Sequence, residues 1–118
     1  MGLDMYLYRK DTEQVAYWRK ANAIHGWIIE ETGAVDNCDP IHISKPLLIR
    51  LRDTCAEVLR VQTADYAEEL LPPSSGFFFG SQEVDDWYWE NIKETVERLN
   101  DIIDNSSEDQ EFEYHASW

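Results

Sequence analysis

The chain predicts an α+β protein: a small antiparallel sheet formed by its N- and C-terminal strands, packed against three or four helices. Two observations predict it. Residues at both ends alternate, with Leu3, Met5 and Leu7 against Asp4, Tyr6 and Tyr8, and Phe112, Tyr114, Ala116 and Trp118 against Glu111, Glu113, His115 and Ser117. This is the period of a half-buried strand. Between them, apolar residues recur at helical spacing, so the end strands pair antiparallel and the helices cover one side. An isolated two-stranded ribbon is marginal, which calls for a third strand from Ile41–Ile43 or the Phe77–Phe79 run.

The elements follow in order. After the first strand, Asp11 or Thr12 is placed to cap a helix running to about Glu31, with Tyr17, Ala21, Ile24 and Ile28 on one face, Trp18 and Trp27 widening it, and Gly33 as the stop. Asp36-Asn37-Cys38-Asp39-Pro40 is a turn cluster. Ser44 caps a second helix that tolerates Pro46 in its first turn and buries Leu48, Leu51, Cys55, Val58 and Leu59, making Cys55 a core residue. A shorter helix, about Thr63 to Leu71, stops at Pro72-Pro73. Ser81 is placed to cap the longest helix, about Glu83 to Asp104, with Trp89, Ile92, Val96, Leu99 and Ile103 as its core face, and Asn105-Ser106-Ser107 breaks it.

Size and composition narrow the function. At 118 residues, 43% apolar and rich in aromatics, the chain suits a single domain spanning 1–118 with one core. No apolar run is long enough for a membrane span and no signal-peptide pattern opens the chain, so a cytoplasmic location is expected. Cys38 and Cys55 are expected to stay reduced. The net charge of −14 argues against direct nucleic-acid binding and against anionic membranes. It is also segregated: residues 1–60 hold eight Lys/Arg against nine Asp/Glu, and residues 61–118 hold two against fifteen.

Much of that excess is geometrically ordered. On the last helix Asp86, Glu90, Glu94, Glu97, Asp101 and Asp104 fall within about 80° of arc, forming a line about 27 Å long. Like charges at these spacings cost about 0.2–0.5 kcal/mol each, with Lys93 and Arg98 only at the edges. A solvated helix face is one explanation; a docking surface for a basic partner is the other. The line has one charge per roughly 4.5 Å, sparser than the roughly 1.7 Å of duplex DNA, so to imitate a nucleic acid it would need Glu108, Asp109, Glu111 and Glu113 as well. Asp101–Asp109 lacks the ligand pattern of a calcium loop.

A second candidate is the mix of donors on helix one, Arg19, Lys20, Asn22 and His25, with Tyr17 and Trp18 beside them and the Asp36-Asn37-Cys38 turn. It suits either a small-ligand or catalytic site, or core hydrogen bonding of His25 and Asn22 to the turn with Arg19 and Lys20 paired to the acidic half. His25, Cys38, His42 and Cys55 lack the paired CxxC pattern of a zinc site. Neither Cys38 nor Ser75 has a base placed by sequence. Gly76–Ser81 lacks the lysine of a phosphate loop. No cofactor, metal or catalytic residue is therefore assigned.

The stretches Met1–Leu7, Tyr17–His25, Asp36-Asn37-Cys38, Gly76-Phe77-Phe78-Phe79-Gly80-Ser81 and Ser117-Trp118 together resemble a family of small proteins encoded by bacteriophages and prophages. No activity comes with that family, so no residue role is carried over. The resemblance implies an accessory phage protein in a bacterial cytoplasm. The leading expectation is a non-enzymatic protein whose acidic face binds a basic host protein, such as a defence or nucleic-acid-processing factor. A ligand-binding domain using helix one is the alternative, and a homodimer through aromatics around Trp87 and Trp118 is a third role.

Overall fold

A computed structural model describes residues 3–9, 13–34, 39–73 and 83–117. The elements run β1 (Asp4–Arg9), β2 (Glu13–Arg19), α1 (Asn22–Thr32), β3 (Ile41–Ser44), α2 (Lys45–Val61), α3 (Ala64–Leu70), α4 (Asp86–Asp104) and β4 (Glu111–Ser117). The Asp36–Cys38 turn, the Phe77–Phe79 run, Ser81 and Trp118 lie outside the described residues.

The four strands form one antiparallel sheet in the order β2-β1-β4-β3, so the two ends of the chain supply its central pair. Met5 lies opposite both Trp18 and Ala116, Leu7 opposite Ala16 and Tyr114, and Phe112 opposite Ile43. These residues make a continuous buried face, the alternation having set each strand's inward side. Onto it pack α1, through His25 against Tyr114, and α4, through Thr95 against Trp18; α2 follows directly from β3 and packs along α4, and α3 packs on α2.

One element differs from expectation. Residues 13–19 are not the start of a helix but the edge strand β2, and α1 begins only at Asn22. The stretch Val15-Ala16-Tyr17-Trp18 has the β-branched and aromatic character of a strand, and β1 offers it a pairing edge. Sequence could not see the helix start because α1 has no side-chain cap: its N-cap is Ala21. Chain direction changes instead at Lys20, held at φ 55° with its N–H donated to the Leu3 carbonyl at 2.6 Å. This left-handed conformation is uncommon for a residue with a side chain. Ile24 and Ile28 are buried on α1, and Ala21 at its N-cap, as the spacing required; Tyr17 belongs to the strand.

The second difference is a rotation of α4. Its helix starts three residues later than expected, with the Asp85 carboxylate capping the Tyr88 N–H at 3.0 Å, and it buries Tyr88, Ile92, Thr95, Leu99 and Ile102. Trp89, Val96 and Ile103 are only partly buried. Polar-tipped residues take the deep positions because they are satisfied there. The Trp18 indole N–H donates to the Thr95 hydroxyl at 2.9 Å, and the Tyr88 hydroxyl donates to the Leu71 carbonyl at 2.7 Å. Elsewhere Ser44 caps α2 by accepting from the Leu47 N–H, Thr63 caps α3, and Cys55 is fully buried, its thiol pushed up by burial.

Candidate functional site

The acidic line survives folding and faces away from the core. The observed buried face of α4 is centred about 60° from the expected one, which leaves Asp86, Glu90, Glu94, Glu97, Asp101 and Asp104 almost diametrically opposite it. All six reach the surface, Glu94 being half-buried. Among the described residues only Glu94 has a cationic partner, Arg98, at a loose 3.9 Å. Arg98 is itself occupied, since its guanidinium donates to the Tyr17 carbonyl on β2. At the N-terminal end of the line stands Trp87, 52% exposed and the one large hydrophobic residue so exposed among the described residues. Carboxylates beside an exposed indole combine long-range attraction with the kind of anchor that dominates protein interfaces. The line does not continue as one surface into the last strand: Glu111 and Glu113 project from the sheet face opposite the helices.

Among the described residues no cation of the first half forms an ion pair with this line. Arg9 pairs with Glu13, Arg50 with Glu31, Arg52 with Asp53 and Arg60 with Glu57, all within their own half. Arg60 holds the Glu57 carboxyl below the usual range.

The other candidate cluster is dispersed. Arg19 ends β2 on the outer face of the sheet, Lys20 forms the turn, and only Asn22 and His25 belong to α1. His25 is 1% exposed, its Nδ1 2.7 Å from the Tyr114 hydroxyl inside the core. Lys20 and Asn22 instead border a half-open cleft with Asp85, Trp87 and Asn91, whose volume of about 10 Å³ matches a single water. Asn37 and Cys38 lie outside the described residues. Among the described residues no three His, Cys, Asp or Glu side chains gather as metal ligands, and no helix is long and apolar enough to cross a membrane.

Sequence reasoning missed the sheet's outer face. Tyr6 lies at its centre, with ring centroids 5.3 Å from Tyr17, 6.3 Å from Tyr8 and 6.4 Å from His115. The Tyr17 hydroxyl donates to Asp4 at 2.6 Å, and that carboxylate, with some burial, raises the Tyr17 pKa. The alternation marked Asp4, Tyr6, Tyr8 and His115 as outward; only the β1–β2 pairing adds Tyr17 to them.

The described residues define an α+β protein with helices on one face of a four-stranded antiparallel sheet. No family model matches the chain, and no curated protein or solved structure matches it.

Proposed function

We propose that this chain is a non-enzymatic binding protein that docks a basic protein partner on α4. The observation that supports this reading is the line of six carboxylates opposite the buried face of α4, five of them without a cationic partner among the described residues, with exposed Trp87 at its end. A line of uncompensated like charge costs folding energy and steers an oppositely charged partner. The resemblance to phage-encoded proteins would make that partner a bacterial host protein, one used in defence or nucleic-acid processing.

Capture from bacterial lysate tests the proposal. A basic partner is expected to be retained at low salt, released at high salt, and lost from a variant with Glu90, Glu94, Glu97 and Asp101 reversed to Lys. Capture that survives the reversal, or none at low salt, overturns it.

A further inference from the structure

We propose that the outer face of the sheet is a second docking surface, which takes an extended, arginine-rich polypeptide segment across Tyr6, Tyr8 and Tyr17. No described helix covers this face, and its residues are half-buried by one another rather than sealed. Four strands about 4.8 Å apart and four to seven residues long present about 400 Å². That is roughly half of what each partner gives to a standard protein interface, so the face suits a peptide segment rather than a second copy of this chain. A second copy would also bring another net charge of −14.

Charge selects the chemistry of the occupant. Asp4 and Glu113 sit on this face beside the tyrosine rings, with Arg19 at the edge. The faces of the rings carry negative potential and hold a guanidinium within about 6 Å. The chain already makes this contact internally, with Arg50 5.8 Å from the centre of the Trp27 ring. Flat guanidinium groups stack on tyrosine better than ammonium groups, so arginine is favoured over lysine. A single-stranded nucleic acid could stack on the same rings, but its phosphates would meet carboxylates.

The test uses the full chain with Glu90, Glu94, Glu97 and Asp101 replaced by Gln, so that α4 no longer attracts cations. Failure here therefore leaves the α4 reading standing. Labelled oligo-arginine and oligo-lysine peptides of about eight residues, long enough to cross the face, are titrated by fluorescence anisotropy, with amide NMR shifts to locate binding. The arginine peptide is expected to bind about threefold or more tighter than the lysine peptide, with shifts at residues 4–8 and 113–117. Replacing Tyr6 and Tyr8 together by Ser should weaken it about tenfold, while Phe at both positions should stay within about twofold. Glu113→Lys, which reverses the charge opposite Tyr8 and leaves all three rings in the sequence, should weaken it about fivefold and serves if the Ser variant does not fold. Equal binding by a folded Ser variant, unchanged binding by Glu113→Lys, shifts confined to other surfaces, or preference for a single-stranded oligonucleotide overturns the proposal.

Discussion

Helices α2 and α4 solve the same packing problem and leave their polar faces in opposite states. Each buries a stripe against the other and the sheet, Leu47, Leu48, Leu51, Cys55 and Val58 on α2, and Tyr88, Ile92, Thr95, Leu99 and Ile102 on α4. On α2 every cation has a partner: Lys45 on the Ser106 carbonyl, Arg50 on Glu31, Arg52 on Asp53 and Asn100, Arg60 on Glu57. On α4, among the described residues, one of six acids, Glu94, has a cationic partner, Arg98 at 3.9 Å. Amphipathicity accounts for both buried stripes; it does not account for a polar face left uncompensated, and that difference is the ground on which we propose α4 as the docking surface.

The comparison can be broken at the core first. Leu51→Ala and Leu99→Ala should cost similar amounts, about 2–5 kcal/mol each in urea unfolding, since both residues are fully buried. A much smaller loss for Leu99 would mean α4 is not docked as α2 is. Thr95→Val removes the acceptor of the buried Trp18 indole, a side-chain bond that holds α4 to β2, and should cost about 1–3 kcal/mol. Near-zero loss would show that the indole finds another partner.

Alkaline pH probes one buried group from each helix. Burial raises both the Cys55 thiol and the Tyr88 phenol, so the folded state favours their protonated forms. Their contribution is complete below the unfolded values of about 8.5 and 10 and is lost as pH rises above them. Each pH unit above an unfolded value, short of the folded one, costs about 1.4 kcal/mol per group. Urea midpoints should therefore fall above about pH 9, and less steeply in Cys55→Ala. An unchanged slope in that variant would place the titration elsewhere.

The smallest effect is a difference of sign. Glu90→Gln and Glu97→Gln should each stabilise the protein by about 0.2–0.5 kcal/mol at low salt, because they relieve like-charge neighbours. Glu57→Gln on α2 should destabilise it, because that carboxylate is held by Arg60. Thermal melts that moved in the same direction for both helices would remove the distinction.

Much of the fold was legible. The end strands, the Ile41–Ile43 strand, the Ser44 cap and four of the five expected stripe residues of α2 rest on local signals, alternation or a hydroxyl beside an apolar run, and appear where those signals put them, Leu59 alone being only partly buried. Strand β2 was misread because its apolar residues fit helical spacing as well as alternation, and only the free edge of β1 decides between them. The turn at Lys20 carries no glycine to announce it. The acidic line was legible as a periodicity. The tyrosine face was not, because Tyr17 lies next to Tyr6 through cross-strand pairing alone.

The sequence by itself determined the α+β class, the inward side of each end strand and the alignment of six carboxylates along one helix, because these depend on spacing within a single element. Tertiary structure alone decided which face of α4 is buried, that His25 sits in the core against Tyr114, that the acids of the last strand lie on the far side from the acidic line, and that the tyrosines meet. Those outcomes depend on which element packs against which. They turn on a few satisfied hydrogen bonds and one strand pairing, between residues as far apart in the chain as Trp18 and Thr95.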